Sequence, residues 1–344
     1  MYRKIAEFLE NWKESEHRKP LILQGARQVG KTYSILEFGR TNYENVAYFN
    51  FETNPKLNET FEENISPDYL IPILSHIAGQ TIIREKTLIV FDEVQLCERA
   101  LTSLKYFCED APDYHIIVAG SLLGVAVNRA KFSFPVGKVD MKTLYPMDME
   151  EFMLAMGEDS LVEKIRECFE TDSPMPSALH DAAMQLYRQY LVVGGMPECV
   201  MLFKETRDYI LVRHTQDTIL ASYLNDMSKY NNLNEIKKTR LAYDNITVQL
   251  SKRNTRFQYK LIKKGGRASE FENAIEWLCL SGIVSQVYKV EQIKKPLENY
   301  RDIDAFKIYV SDLGLLCAKK DLAANDILYM VEELNDFKGG MAEN

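Results

Sequence analysis

The most constraining feature of this sequence is the segment GARQVGKT at residues 25–32. Gly25, Gly30, Lys31 and Thr32 fit the pattern G-x-x-x-x-G-K-[ST], with an apolar strand-like segment before it and a helix-like segment after it. Glycines let the backbone turn tightly with its N–H groups inward, and the following helix directs the positive end of its dipole to the same point. The segment is therefore predicted to bind phosphate groups. The competing interpretation is an ordinary glycine turn with an incidental lysine.

The phosphate-binding prediction assigns a role to each part of this segment. Lys31 would reach the β- and γ-phosphates of ATP, and the hydroxyl of Thr32 would bind Mg²⁺. ATP and Mg²⁺ are thus the expected cofactors. The predicted nucleotide-binding residues are Gly25, Ala26, Arg27, Gln28, Val29, Gly30, Lys31 and Thr32.

A pair of acidic residues follows the apolar run LIVF at residues 88–91. Asp92 and Glu93 would lie at the carboxyl end of a buried strand, where ligands bind in open α/β sheets. Asp92 is predicted to hold Mg²⁺, and Glu93 to orient and polarise the attacking water. The adjacent acid is typical of an ATPase, whereas the alternative is a strand that ends in two solvated carboxylates.

A third candidate residue is Ser121, which follows the apolar strand-like run IIVAG. Its hydroxyl would lie at the height of the γ-phosphate or of the attacking water. Gly120 and Ser121 fit an ordinary strand-to-loop turn equally well.

Hydrophobic periodicity predicts an α/β fold for the first part of the chain. Strand-like runs alternate with helical patterns from residue 20 to about 146, which is typical of a parallel sheet with helices on both faces. Beyond this point the patterns are helical, and two further strand-like pieces, 283–290 and 306–312, follow the helical segment SEFENAIEWLCLSG. In that segment Ser269 and Glu272 are predicted to form a capping box. Helices followed by a β-hairpin favour a winged helix.

Composition limits the class of protein. The chain has 344 residues, of which 46% are hydrophobic, and its net charge of -8 argues against a surface that binds nucleic acid over its whole extent. The first residues are too charged for a signal peptide, and no apolar run reaches the roughly 18 residues of a membrane span. We expect a cytoplasmic protein that has no membrane contact.

The order of the motifs resembles that of a known family. The phosphate-binding loop, FDEVQ, AGS, YPMDMEEF, YLVVGGMPE and IYVSDLGLL occur in this order in prokaryotic AAA-type ATPases with an uncharacterised C-terminal domain. The resemblance implies a P-loop NTPase domain, a helical lid and a winged helix, with Asp92, Glu93 and Ser121 in the Walker B and sensor positions. The expected boundaries are 1–147 for the ATPase domain, 148–238 for the lid, 239–320 for the winged helix and 321–344 for the start of a truncated C-terminal region.

The sequence differs from the family pattern in two places. Many relatives carry Gly-Arg before the YP segment, whereas FPVGKVD offers Lys138, whose ammonium is a point charge without the planar fork of arginine. The chain also stops at FKGGMAEN, where relatives continue into a domain that resembles restriction endonucleases, so this chain is expected to be a fragment.

The sequence is compatible with three functions. The leading hypothesis is an ATP-hydrolysing protein that switches or remodels an unknown protein partner. The alternative is a nucleotide-regulated DNA-binding module, because residues 252–267 hold seven basic and no acidic residues, with Phe257 and Tyr259 between them. The acidic helix that carries Glu270, Glu272 and Glu276 argues against sequence-specific contact, so any DNA binding is expected to be weak and nonspecific. A solvated basic face remains the plainer interpretation, and a small-molecule kinase, for which no acceptor site is identifiable, ranks last.

Overall fold

The computed structural model describes residues 1–120, 135–229, 233–251, 256–330 and 335–344. The chain divides into two compact units, residues 3–145 and residues 146–344 with the first two residues. The division after Tyr145 is close to the predicted end of the first domain at residue 147. The further boundaries at 238 and 320 remain predictions, and the first of these falls inside the helix Leu233–Ser251.

The first unit contains one sheet of five strands, β1 Leu21–Gln24, β2 Asn45–Asn50, β3 Thr87–Asp92, β4 His115–Ala119 and β5 Asp140–Thr143. Their spatial order is β2-β3-β4-β1-β5. Every adjacent pair is parallel, so the α/β prediction is confirmed. All carboxyl ends consequently lie at one edge of the sheet.

Both faces of this sheet are covered by helices. Successive residues of β3 point to opposite faces, and all of them are buried. Phe91 belongs to a core cluster with Phe61 and Leu104 from helices on one face. On the other face Gly39 allows close approach, since a Cβ there would lie 2.6 Å from Val46. The helices of this unit are α1 Ile5–Glu14, α2 Lys31–Asn42, α3 Leu57–Glu63, α4 Pro67–Ala78 and α5 Glu98–Asp110.

The second unit is mostly helical. The three helices Leu233–Ser251, Tyr259–Ile262 and Ala268–Leu280 are followed by an antiparallel hairpin of β6 Val284–Val290 and β7 Arg301–Val310. This is the order of elements that the winged-helix prediction requires. In the described ranges no helix combines the length and the apolar character needed to cross a bilayer. The helices are α6 Met149–Met156, α7 Asp159–Glu170, α8 Ser177–Val193, α9 Pro197–Thr206, α10 Tyr209–Lys229, α11 Leu233–Ser251, α12 Tyr259–Ile262, α13 Ala268–Leu280, α14 Leu313–Lys319, α15 Ala324–Leu328 and α16 Asn335–Glu343.

Three motifs that are far apart in the sequence meet in the second unit. The N–H of Met147 donates to the carbonyl of Gly195 at 2.7 Å, and the N–H of Gly195 donates to the buried carboxylate of Asp312 at 2.6 Å. Asp312 also caps α14 by accepting from the N–H of Leu315 at 2.8 Å. A Cβ at Gly195 would lie 1.9 Å from the carbonyl oxygen of Met147, so this contact requires glycine. The segments YPMDMEEF, YLVVGGMPE and IYVSDLGLL therefore share a structural role.

The capping box predicted at Ser269 and Glu272 is wrong. A capping box would make Ser269 the N-cap residue, but α13 begins at Ala268, and its N-cap residue Arg267, two residues earlier, makes no side-chain capping bond. A capping box occurs instead at the start of α6, where Asp148 and Glu151 bond to each other's backbone N–H. The local pattern therefore misplaced the N-cap of α13 by two residues.

Candidate nucleotide-binding site

The phosphate-binding segment forms the connection between β1 and α2, as predicted. Gly30 is the N-cap residue of α2 with φ of +90°, and α2 begins at Lys31. Gln28 also has a positive φ, of +65°, so the loop turns sharply immediately before the helix. This conformation brings the helix N-terminus, with its partial positive charge, to the carboxyl edge of the sheet.

The first glycine of the loop is held against the end of β5. Gly25 has φ of +148°, and a Cβ at this position would lie 2.1 Å from the carbonyl oxygen of Leu144. The buried guanidinium of Arg3 donates to the carbonyl of Val29 at 3.0 Å and to the carbonyl of Tyr145 at 2.7 Å. The loop is thus held at its start by the contact of Gly25 with Leu144 and near its end by Arg3. Sequence analysis did not identify either interaction.

Lys31 lies inside the loop and is only 7% exposed. Its ammonium donates to the carbonyl oxygens of Gly25 at 3.0 Å and Ala26 at 2.8 Å. Burial lowers the pKa of Lys31 to about 8. The nearby carboxylates of Glu93 and Asp92 have the opposite and smaller effect, because they favour the charged form of the lysine. A buried ammonium within the phosphate-binding loop is suited to neutralising phosphate oxygens.

Thr32 and Asp92 come together across the site. The hydroxyl of Thr32 donates to Oδ2 of Asp92 at 2.9 Å, although β4 lies between β1 and β3 in the sheet. Asp92 is 5% exposed, and its Oδ1 accepts from the N–H of Glu93 at 3.0 Å. The two residues predicted to hold Mg²⁺ are therefore neighbours.

Glu93 lies next to this pair in a strained backbone conformation. Its φ is +52°, which is rare for a residue with a side chain and is characteristic of functional sites. The carboxylate is half-buried and accepts from the side-chain amide of Gln95. Burial is the main cause that raises the pKa of Glu93, as expected of a carboxylate suited to accept a proton.

Tyr48 and Asn50, at the end of β2, complete the site and were not identified from the sequence. The hydroxyl of Tyr48 donates to Oδ2 of Asp92 at 2.7 Å, and the amide of Asn50 donates to the same hydroxyl at 3.2 Å. Burial is the main cause that raises the pKa of Tyr48 to about 12, so the hydroxyl keeps its proton at neutral pH. The strand pattern of β2 carried no signal for this role, although the register pairs Asn50 with Asp92.

Two other sequence predictions fall elsewhere. Ser121 lies outside the described residues. Lys138 precedes β5 and forms an ion pair with Glu109 at 2.9 Å. Because β5 is parallel to β1, Lys138 lies at the amino edge of the sheet, opposite the phosphate-binding loop of the same chain.

The donor set at the site fits Mg²⁺. A hydroxyl and a carboxylate are hard oxygen ligands, and they lie 2.9 Å apart in Thr32 and Asp92. Across the ranges that the structure describes, no group of three or more His, Cys, Asp or Glu could hold a metal ion. Such a sparse set suits Mg²⁺, which keeps several waters and takes other ligands from substrate phosphates.

The basic segment lies in the second unit, and only its part from residue 256 onward is described. Lys260, Lys263, Lys264 and Arg267 are exposed, and Lys263 forms an ion pair with Glu270 at 3.2 Å. Phe257 is buried and stacks on Phe306 with the ring centroids 5.7 Å apart. This ring is therefore part of the core and is not presented to nucleotide bases.

The parallel sheet, the glycine-rich loop after β1 and the acidic pair at the end of β3 define the fold of P-loop NTPases. A family model described as an AAA domain matches residues 17–153, and a model described as a domain of unknown function (DUF8612) matches residues 184–326. The match to the AAA domain model spans most of the first unit.

Several solved structures align with most of this chain. The Walker-type ATPase PABY2304 of Pyrococcus abyssi is similar with a TM-score of 0.55 and 14% identity, over 92% of this chain and 94% of that chain. The ORC2 protein of Aeropyrum pernix has a TM-score of 0.39 and 12% identity over 98% and 93% of the two chains. RuvB of Thermotoga maritima has a TM-score of 0.36 and 15% identity over 89% and 90%. No curated protein sequence matches the chain significantly.

Proposed function

We propose that this chain is an AAA-type ATPase that binds Mg²⁺-ATP and hydrolyses it to switch or remodel a protein partner. The observation that carries the proposal is the hydrogen bond between Thr32 and Asp92, with Glu93 directly beside it. This contact joins the phosphate-binding loop to the acidic strand end. ATP hydrolysis needs the loop and the acidic residues at one place. If the loop were an ordinary glycine turn and the two carboxylates were merely solvated, nothing would require them to be in contact.

The side chains divide the chemistry among them. Lys31 and the start of α2 bind phosphate oxygens, and Thr32 and Asp92 would hold Mg²⁺. The ion, when bound, neutralises charge that develops on the phosphates during transfer. Glu93 orients and polarises the attacking water and accepts its proton, because its half-buried carboxylate lies beside the metal ligands. We propose a helical lid at residues 148–238 and a winged helix at 239–320, the latter supported by three helices followed by a hairpin.

A DNA-binding module is the alternative function. It is favoured by the exposed side chains of Lys260, Lys264 and Arg267. It is opposed by Glu272 and Glu276, which are exposed on α13, the helix that would enter a groove. Contact limited to phosphates is what this distribution of charge supports.

The test compares ATP binding with phosphate release in three variants. Glu93→Gln keeps the size of the side chain but removes the charge, so it should bind ATP normally and lose at least about a hundredfold in turnover. Asp92→Asn should lower the affinity for Mg²⁺, so that ATP binding is weaker and turnover is slower. Lys31→Ala, which removes the main side-chain charge at the phosphates, is the control that should not bind. Parental turnover in Glu93→Gln would assign the base elsewhere, and unchanged affinity in Lys31→Ala would reject the nucleotide site.

A further inference from the structure

The structure carries an inference about Tyr48, which touches the Asp92 carboxylate from a neighbouring strand. β2 is an edge strand of the sheet, and Tyr48 is 39% exposed whereas Asp92 is 5% exposed. The tyrosine therefore has its ring partly at the surface and its hydroxyl on a buried carboxylate. The hydroxyl of an exposed tyrosine can form hydrogen bonds with water. A hydrogen bond to a protein group in place of water therefore contributes little to stability by itself.

The direction of the hydrogen bond between Tyr48 and Asp92 follows from the residues behind it. Oδ1 of Asn50 accepts from the backbone N–H groups of Glu52 and Thr53, each at 2.9 Å. Because two donors face this atom, it must be the amide oxygen, and the amide nitrogen therefore faces the hydroxyl of Tyr48. The hydroxyl accepts from Asn50, and its own proton is directed to Oδ2 of Asp92. The result is a polarised chain of hydrogen bonds that ends on the carboxylate.

This chain restricts the orientation of Asp92. A carboxylate offers about four acceptor positions, and those of Asp92 receive the hydroxyls of Tyr48 and Thr32 and the N–H of Glu93. Donors on both oxygens hold the plane of the carboxylate, and one acceptor position is left to interact with an ion or its water. Thr32 is itself a predicted ligand of Mg²⁺ and would have to reorient its hydroxyl when the ion binds, whereas Tyr48 would not.

We propose that Tyr48 is a positioning residue that holds Asp92 in the orientation in which it binds Mg²⁺ with the nucleotide. This inference rests on the proposed function, because it concerns the same Mg²⁺-ATP site. Outer partners of metal ligands contribute about 10- to 100-fold to metal affinity. Tyr48 should therefore act on the Mg²⁺ dependence of nucleotide binding, and have little effect on binding of the nucleotide alone.

Tyr48→Phe is the informative variant because it removes only the hydroxyl. Tyr43→Phe is a matched control: the hydroxyl of Tyr43 lies 2.7 Å from Nδ1 of His115, at the amino edge of the same sheet. Each variant loses one tyrosine hydroxyl in the same unit, but only the hydroxyl of Tyr48 reaches the site. A difference between the two variants therefore reports on Asp92.

The experiment measures the affinity for the non-hydrolysable analogue AMP-PNP by calorimetry, in EDTA and over a series of Mg²⁺ concentrations. In Tyr48→Phe we expect unchanged affinity in EDTA and a roughly tenfold higher Mg²⁺ concentration at half-effect, while Tyr43→Phe matches the parent in both. An unchanged or lower half-effect concentration in Tyr48→Phe overturns the inference, as does an equal loss in EDTA, which would indicate a general structural role. If the parent itself binds no AMP-PNP with Mg²⁺, the proposed function fails instead, and the two failures are thereby distinguished.

Discussion

Gly25→Ala should damage both the stability of the first unit and its nucleotide site. The new Cβ would lie 2.1 Å from the carbonyl oxygen of Leu144, and the φ of +148° is one that residues with a side chain rarely adopt. A strained backbone position costs about 1–3 kcal/mol, and forcing an extra methyl into a packed site costs about 1–3 kcal/mol more. We therefore expect the free energy of unfolding to fall by about 4 kcal/mol.

The matched control for this variant is Gly79→Ala. Gly79 ends α4 in the same unit with φ of +66°, and a Cβ there would meet nothing within 4 Å. This substitution carries only the conformational cost of about 1 kcal/mol. The difference of about 3 kcal/mol between the two variants therefore reports the contact with Leu144 together with the greater backbone strain at Gly25.

Urea unfolding and AMP-PNP affinity measure the two effects of Gly25→Ala. Because the carbonyl of Gly25 accepts from the ammonium of Lys31 at 3.0 Å, a displaced loop should also lose at least about tenfold in nucleotide affinity, the equivalent of 1.4 kcal/mol. Equal unfolding free energies for Gly25→Ala and Gly79→Ala, together with parental nucleotide affinity, would refute the close contact between the loop and β5.

Two further predictions concern pH and DNA. Burial is the main cause that lowers the pKa of His115 to about 4. Below pH 6.5, the ordinary pKa of histidine, His115 binds a proton in the unfolded chain but not in the folded chain. The free energy of unfolding is therefore highest above pH 6.5 and falls as the pH drops towards 4. Urea unfolding should show a loss of about 2 kcal/mol at pH 5 that is absent in His115→Gln; an identical pH profile for the two would contradict the burial argument. DNA affinity, measured by gel shifts, should be weak and independent of sequence, with a slope of log affinity against log salt of about -3 for three phosphates neutralised by Lys260, Lys264 and Arg267. A strong preference for one duplex sequence would contradict the argument from the acidic face of α13.

Patterns within short windows predicted most of the fold. Strand β3 was identified from an apolar run because a strand buried on both faces excludes polar residues. Helix α5 was identified because its apolar residues recur at helical spacing. The local prediction failed at α13, where Ser269 and Glu272 had the spacing of a capping box but both lie inside the helix. A Ser and a Glu three residues apart can occur at a helix start or inside a helix. The spacing alone therefore does not determine the residue at which the helix begins.

The positions of the candidate site residues were also largely predictable from local sequence. The spacing of Gly25, Gly30, Lys31 and Thr32 specifies a loop followed by a helix, because the glycines and the helix start act within a few residues of each other. Asp92 and Glu93 were placed correctly at the carboxyl edge because they directly follow a strand, and parallel strands end at the same edge.

The contacts between these segments were decided only by the tertiary structure. The sequence does not encode, in any local pattern, that Tyr48 and Asn50 would meet Asp92, that Arg3 would brace the loop, or that Asp312 would bond to Gly195. Each of these pairs depends on the order of strands or on the packing of distant helices. Local backbone preferences and hydrophobic periodicity act over a few residues and are written in the sequence, whereas the partner of a buried polar group is whichever group the folded chain brings within hydrogen-bonding distance.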